Sequence, residues 1–167
     1  MSALLPSLVA SIAESKIGLR ESGGNNKGAD IQEFFNADSY KPNKADNGYA
    51  WCAAFVCRIV QLAMQKSGKA FTFQRPTTPG AWAFIEWSLA QDNSTWTKRT
   101  PGSDIQRGDL IVYTFSHIGI ATSGVDDRGY FTTCEGNTNE AGSREGDGVY
   151  RKSRHTSQVK ARIRFQV

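Results

Sequence analysis

The 167-residue sequence lacks any long hydrophobic run and contains only three cysteines and two histidines. No apolar stretch approaches the roughly 20 residues that a membrane-spanning helix needs, so we predict no membrane span. Three cysteines are too few for a disulfide-stapled scaffold, and free thiols fit a reducing compartment. Hydrophobic residues still make up 39% of the chain. That share excludes a disordered protein and fits one domain over residues 1–167.

The N-terminal segment does not have the pattern of a signal peptide, which is early positive charge followed by an unbroken apolar stretch. The first basic residue is Lys16, and Pro6 and Glu14 interrupt the apolar residues before it. We therefore expect synthesis in the cytoplasm without a signal peptide. The chain carries 20 basic and 16 acidic side chains, a net charge of +4. This balance fits nucleic acid or an anionic cell wall as partner, or simple solubility.

The hydrophobic pattern divides the chain into a helical first half and a β-rich second half, which is typical of an α+β fold. Helices are predicted over residues 4–17, 30–35, 51–67 and 78–90, and strands over 109–115, 117–122, 129–134 and 159–165. The helix over 51–67 is apolar almost all round, as expected of a helix at the centre of a fold. Gly68 follows it, where a helix C-terminus favours glycine. We expect this helix to pack on an antiparallel sheet formed by the second half.

Cys52 lies at the start of this central helix, just after the turn-like residues 46–48. Unsatisfied backbone N–H groups and the helix dipole favour an anion there, and thus the nucleophilic thiolate. The same N–H groups are suited to hold an oxyanion. A cysteine is also a common small core residue, which is the simpler interpretation of Cys57 and Cys134. For Cys52 both interpretations stay open from its position alone.

His117 lies between two predicted strands, where its ring can project toward a helix N-terminus and act as general base for a thiol. Glu135 and Asn137 follow another predicted strand, and alternate residues of a strand share a face, so either could orient an imidazole. The alternatives are a structural histidine and a polar strand end that runs into a turn. His155 lies among basic residues and is interpreted as a solvated surface side chain.

The chain order Cys, His, Glu/Asn is the layout of papain-like thiol enzymes. The sequence moreover resembles the CHAP family of cysteine, histidine-dependent amidohydrolases and peptidases, which are relatives of the NlpC/P60 enzymes. Four ordered segments and a similar lead-in at residues 18–26 carry the resemblance: Asn47–Val56, Gly108–Tyr113, His117–Ile120 and Glu135–Thr138. The likeness extends from about residue 8 to about residue 140.

The resemblance implies a papain-like fold and the hydrolysis of amide bonds in bacterial peptidoglycan. It implies that Cys52 attacks the carbonyl carbon and that its backbone N–H supplies part of the oxyanion hole. It further implies that His117 transfers the proton and that Glu135 orients His117. Asn137 assists or replaces Glu135 in that role.

Tyr49, Trp51 and Glu21 are candidates to line the substrate groove, with packing or turn chemistry as the equal alternative. The implied chemistry needs no metal and no cofactor. Some phage members of the family carry a calcium loop before the cysteine. Residues 44–48 lack the run of acidic oxygens that calcium prefers, so we predict no calcium site.

The resemblance leaves the bond and the biological setting open. The same catalytic residues serve an N-acetylmuramoyl-L-alanine amidase and a peptide endopeptidase. A phage lysin (endolysin) released by a holin and an antibacterial toxin delivered by a secretion system would both act in the periplasm or cell wall. The toxin would need an immunity protein as partner. A fragment of a larger cell-wall enzyme is the third setting.

Three other interpretations compete with this one. A catalytically silent wall-binding module would keep the fold and the same residue types. Nucleic-acid binding is suggested by a C-terminal basic set, although strand alternation accounts for half of it and no nucleic-acid motif is present. That set comprises Arg151, Lys152, Arg154, Lys160, Arg162 and Arg164. A zinc site made of the three cysteines and His117 lacks the paired spacing of structural zinc sites.

Overall fold

The computed structural model describes residues 4–39, 50–139, 141–143 and 145–167. The helices in these ranges are α1 (Leu5–Ser15), α2 (Ala29–Asn36), α3 (Cys52–Ser67) and α4 (Ala83–Leu89). The strands are β1 (Thr95–Arg99), β2 (Leu110–Tyr113), β3 (Ile118–Ala121), β4 (Tyr130–Thr138), β5 (Gly148–His155) and β6 (Val159–Phe165), with a short 3-10 turn at Thr156–Gln158. They form one antiparallel sheet in the order β1-β6-β2-β3-β4-β5. The predicted α+β fold is confirmed.

Helix α3 lies at the centre of the molecule because it carries apolar side chains around most of its circumference. Nine of its sixteen residues are buried. Helices α1 and α2 pack against it, and so do strands β3 and β4. Gly68 ends the helix in a left-handed conformation with φ 65°, which glycine adopts without a steric cost. Residues 52–57 are all buried, so the N-terminal part of the helix is enclosed by the core.

The sheet buries apolar side chains on both faces, since successive residues of a strand point to opposite sides. On β2, Leu110 and Val112 join the large core that contains α3. Ile111 and Tyr113 join a smaller cluster with Phe131 of β4. Tyr113 therefore lies on the sheet face that is turned away from the helices.

Element boundaries follow the predictions where the hydrophobic period is regular. Strand β6 has the predicted bounds, and α3 begins one residue later than predicted. The predicted helix over 78–90 is wrong in its first part, because Pro79 and Gly80 disfavour a helix and α4 begins only at Ala83. Strand β4 continues to Thr138, beyond its predicted end.

Two irregular turns bring polar side chains beside the N-terminus of α3. The β2–β3 hairpin passes through Ser116 in a left-handed conformation, with φ 41°. Strand β4 shifts register against β5 between Glu135 and Thr138, and Asn137 within this irregularity is left-handed, with φ 56°. Both features change the direction of side chains at the ends of these inner strands.

Within the described ranges, no helix is both long and apolar enough to cross a membrane.

Candidate active site

Cys52 is the first residue of α3 and opens onto a cleft of about 130 Å³. The other residues that line this cleft are Ala50, Pro79, Gly80, Ala81, Ser116 and Glu145. Cys52 is 7% exposed, so its thiol is largely enclosed but open to the cleft. The residue before it, Trp51, occupies the N-cap position of α3. Its indole is only a hydrogen-bond donor, so it cannot accept hydrogen bonds from the first backbone N–H groups of the helix. Those groups are suited to stabilise an anion at Cys52.

The β2–β3 hairpin holds His117 in a fully buried position. The backbone N–H of Tyr113 donates to the carbonyl of His117 at 2.9 Å and closes the hairpin. The rings of Tyr113, Phe115 and His117 lie nearly parallel, with interplanar angles of 15°, 18° and 14° for the three pairs. This stack fixes the plane of the imidazole.

The His117 ring lies between a carboxylate and a thiol. Nε2 donates to Oε1 of Glu135 at 2.9 Å, which leaves Nδ1 for Cys52. Nδ1 is buried and has no hydrogen bond of ordinary geometry to any residue in the described ranges. Catalytic hydrogen bonds are often poorly aligned before the substrate binds. Burial by itself lowers the pKa of His117, but hydrogen bonding with Cys52 and Glu135, and the charges of both, raise it to about 9. The imidazole is therefore held protonated at neutral pH.

Glu135 is fully buried and accepts hydrogen bonds on both carboxylate oxygens. Oε2 accepts from Tyr113 Oη at 2.7 Å, from Thr133 Oγ1 at 2.5 Å and from Arg154 Nε at 2.8 Å. Oε1 accepts from His117 Nε2 and Arg154 Nη2. Burial raises the pKa of Glu135, but Arg154 and His117 outweigh it and lower that pKa far below its ordinary value. The side chain is a carboxylate that fixes the Nε2–H form of His117.

Asn137 is fully buried in the irregular end of β4. Its backbone carbonyl accepts from the N–H of Gly146 at 3.1 Å, and its left-handed φ is one that asparagine tolerates better than most residues. The acceptor of the His117 Nε2–H group is Glu135. An assisting role for Asn137 stays a prediction.

The predicted groove residues Trp51 and Glu21 contact each other. Trp51 Nε1 donates to Glu21 Oε1 at 2.8 Å. Trp51 is fully buried and stacks on Phe34 of α2, with ring centroids 5.5 Å apart. In this structure the indole packs against α2 and is not among the side chains that line the cleft at Cys52. Tyr49 lies outside the described residues, so its place in a groove stays a prediction, as does that of Glu21.

A second cleft, of about 660 Å³, adjoins the cleft at Cys52 and shares Glu145 with it. Its other lining residues are the polar Asn25, Asn139, Asp147 and Tyr150, together with Ala141 and Gly146. Tyr150 Oη donates to Asp147 Oδ1 at 2.7 Å. The two clefts together form an extended polar surface that leads to the thiol.

The other two thiols are core residues, as predicted. Cys57 Sγ donates to the carbonyl of Thr78 at 3.4 Å, and Cys134 Sγ donates to the carbonyl of Ala13 at 3.1 Å. Both are fully buried, and burial raises the pKa of Cys134 far above its ordinary value. Neither is placed to act as a nucleophile.

No group of three His, Cys, Asp or Glu side chains that could hold a metal occurs within the described ranges. The zinc site considered for the three cysteines and His117 is therefore not assembled. The segment 44–48, which we considered for calcium, lies outside those ranges. His155 is half-buried and accepts from the backbone N–H of Ser157, so it caps the 3-10 turn.

Tyr113, Thr133 and Arg154 belong to the Glu135 network but were not predicted from the sequence. Thr133 lies two residues before Glu135 and shares its face of the strand, so alternation contains a signal for it. Arg154 carries no such signal, because it ends the run 151–154 that has the composition of a solvated surface. Only the pairing of β4 with β5 brings it to the carboxylate.

A family model described as the CHAP domain matches residues 44–137, more than half of the chain. The chain belongs to the CHAP domain family. The matched region of the CHAP domain includes Cys52, His117, Glu135 and Asn137. The family resemblance found in the sequence is confirmed.

The CHAP domain is also similar to a solved structure, the crystal structure of a wild type endolysin, LysIME-EF1. The TM-score is 0.53 and the identity 18%, over 93% of this chain and 62% of that chain. At this identity the likeness shows the fold, and the chain spans less than two thirds of the endolysin's length. The comparison with curated proteins gives no match.

Proposed function

We propose that this CHAP domain is a thiol hydrolase that cleaves an amide bond of bacterial peptidoglycan, with Cys52 as nucleophile. The observation that carries the proposal is the chain of interactions from Cys52 through His117 to Glu135 at the base of a cleft. Membership of the CHAP family supports it. The solved neighbour of the same fold is named an endolysin, which supports a wall-lytic setting.

The first half of the proposed reaction uses a thiolate and an imidazolium. Cys52 Sγ attacks the amide carbonyl carbon, a C–S bond forms, and the carbonyl electron pair moves to the oxygen. The backbone N–H of Cys52 donates to that oxyanion. His117 gives its proton to the amide nitrogen, the C–N bond breaks, and the amine leaves a thioester on Cys52.

The second half returns the site to its starting state. Water attacks the thioester carbonyl carbon while His117, now neutral, takes a proton from the water. The C–S bond breaks, the carboxylic acid product leaves and loses its proton to the solvent, and the thiolate again faces an imidazolium. Glu135 stays ionised throughout and holds the ring. Asn137 assists from the adjoining turn in this proposal.

The clefts fit a polar, extended substrate. The smaller cleft at the thiol has room for the scissile amide, and the larger one offers amide, carboxylate and hydroxyl groups to a stem peptide. The net charge of +4 favours approach to anionic wall polymers. A phage lysin and a delivered toxin would both use this chemistry, and the toxin would add an immunity protein that blocks the cleft.

The test is digestion of purified peptidoglycan sacculi by the parent, by Cys52→Ala and by the matched control Cys57→Ala. We expect the parent and Cys57→Ala to release soluble fragments and Cys52→Ala to release none above background. Mass spectrometry of the fragments identifies the bond. An amidase frees stem peptides with a new N-terminal alanine, whereas an endopeptidase leaves shortened peptides on the glycan.

Release by Cys52→Ala at the parent's rate would contradict the thiol mechanism. If the parent releases nothing from sacculi of several cross-link types but sediments with them, the protein is a silent wall-binding module. If it neither digests nor binds sacculi, peptidoglycan is not its substrate.

A further inference from the structure

Arg154 on β5 is a largely buried cation whose guanidinium is directed at the active-site carboxylate. Its side chain is 7% exposed. Nε donates to Oε2 of Glu135 at 2.8 Å, and Nη2 donates to Oε1. One planar fork thus holds both oxygens, a geometry that a guanidinium supplies and an ammonium does not. The guanidinium also lies over the rings of Tyr113 and Phe115, at 5.0 and 5.3 Å from their centroids. These rings are the ones that stack with His117.

We propose that Arg154 is a positioning residue that holds Glu135 by both oxygens and, through Glu135, fixes the His117 ring toward Cys52. The inference rests on the proposed function, because His117 is the proton carrier of that reaction. Arg154 acts through Glu135 and is not itself a catalytic residue.

The proposed reaction makes a permanent cation necessary at this position. While His117 is protonated, Glu135 has a charged partner in the ring. Once His117 has given its proton to the leaving amine, that partner is neutral, and an isolated buried carboxylate is costly. Without another cation, Glu135 would take up a proton and lose its hold on the Nε2–H group. Arg154 keeps the carboxylate ionised through the whole cycle.

The other titratable groups that face Glu135 do not supply this charge. Tyr113 from β2 is neutral, since burial and the nearby carboxylate raise its pKa well above the ordinary value. Cys134 of β4 is neutral for the same reason. His117, from the hairpin, changes its charge during the reaction. Among the described groups, Arg154 is therefore the constant positive charge at Glu135.

Stability alone is a weak reason for a buried ion pair at this position. A buried ion pair is weak evidence for stability, because the cost of removing both charges from water offsets their attraction. The carboxylate here also orients the histidine, so the pair serves the site. The same chain offers a comparison: Arg162 of β6 is fully buried and donates to Oδ2 of Asp104 at 3.1 and 2.8 Å, with no role in the proposed reaction.

The test compares the parent with Arg154→Gln, Arg154→Lys and the matched control Arg162→Gln. The readout is the downfield proton NMR signal of the His117 Nε2–H group, assigned by its loss in His117→Gln. The signal is followed from pH 7 down to the lowest pH at which circular dichroism shows each sample to be folded. The rate of Cys52 alkylation at pH 7 is measured in parallel.

In the parent, we expect the signal to be lost only at the acid end of the series, because Glu135 remains a carboxylate down to that pH. In Arg154→Gln its loss should have a midpoint about 1–3 pH units higher, the range by which a neighbouring cation lowers a carboxylate pKa. Alkylation of Cys52 should slow in the same variant. Arg154→Lys keeps the charge but not the fork, so its midpoint should lie between the two. Arg162→Gln should melt at a lower temperature and keep the parent's midpoint.

A folded Arg154→Gln protein with the parent's midpoint would overturn the proposal, and so would an equal shift in Arg162→Gln. If Arg154→Gln does not fold, Arg154→Lys decides, and a midpoint identical to the parent's would exclude a role for the fork. The NMR signal needs no substrate. A failure of sacculus digestion would therefore overturn the proposed function and leave the relation between Arg154 and His117 to be decided by these spectra.

Discussion

At the scale of single residues, Gly119 on β3 makes room for the Glu135 side chain. A Cβ at this position would lie 2.6 Å from Cγ of Glu135 and 3.2 Å from its Cδ. The carboxylate is held by Arg154 and cannot yield without losing hydrogen bonds. We predict that Gly119→Ala displaces the carboxylate from His117 and costs about 1–3 kcal/mol of unfolding free energy, as overpacking does. Sacculus digestion should fall by about tenfold or more, equivalent to about 1.4 kcal/mol in the barrier.

Gly124→Ala is the control for this substitution. Gly124 is exposed, and the nearest atom to an added Cβ is the carbonyl oxygen of Ile105 at 3.8 Å. Digestion by this variant should match the parent. If Gly119→Ala digests sacculi as fast as Gly124→Ala, the position of the Glu135 carboxylate does not matter to the reaction.

The sequence contains local signals for Cys52 and His117 but none for Arg154. Cys52 follows a turn and begins an apolar helix, and His117 lies in the short link between two apolar runs, so each is marked by its neighbours. Glu135 is marked by strand alternation. Arg154 has the same local composition as Arg151, which is exposed. Its burial arises from a pairing of two strands that the local sequence does not encode.

At the scale of elements, the indole of Trp51 attaches the N-terminus of α3 to α2 and to the chain near Glu21. Trp51 stacks on Phe34 and donates to Glu21 Oε1 at 2.8 Å. We predict that Trp51→Phe lowers the free energy of unfolding in urea by about 1–3 kcal/mol, because the half-buried carboxylate of Glu21 loses the indole N–H donor. If the indole serves packing and not substrate contact, the folded variant should digest sacculi at close to the parent's rate.

Trp96→Phe is the matched control. Trp96 lies on β1 and is 46% exposed, and phenylalanine keeps an aromatic face for the Arg162 guanidinium, which lies 4.0 Å from the ring centroid, so this substitution should lower the free energy of unfolding less than Trp51→Phe does. A Trp51→Phe protein that is as stable as Trp96→Phe but unable to digest sacculi would mean that Trp51 contacts the substrate.

The elements that could not be predicted are the two outer strands of the sheet. Strands β1 and β5 lie at its edges, and each has one neighbouring strand. Edge strands are commonly polar, and charge on them blocks pairing with other chains. The run of basic residues in β5 therefore hides an alternation of buried and exposed positions that is visible only in the structure. The central elements α3 and β6 have a regular apolar period, and both were predicted within one residue.

At the scale of the whole molecule, the buried carboxylate of Glu135 makes the stability of the folded state depend on pH in the acid range. Burial raises the pKa of Glu135, but Arg154 and His117 hold it far below the ordinary value of 4.5. A group whose pKa is lowered on folding stabilises the folded state above its unfolded pKa, and this contribution is lost as the pH falls. Below the ordinary His117 pKa of 6.5, His117 and Arg154 are protonated in both states and do not offset the loss.

We therefore predict that the free energy of unfolding in urea falls as the pH drops from about 5 toward 3, and that Glu135→Gln flattens this fall. At pH 7 the variant should be less stable by about 3–5 kcal/mol, because it leaves Arg154 buried without its counter-ion. The two curves should approach each other in acid, since protonation removes from the parent the charge that the substitution removes. Glu14→Gln breaks an ion pair with Arg107 at the surface, so its curve should run close to that of the parent. Parallel curves for the parent and Glu135→Gln would mean that the acid dependence has its source in other carboxylates.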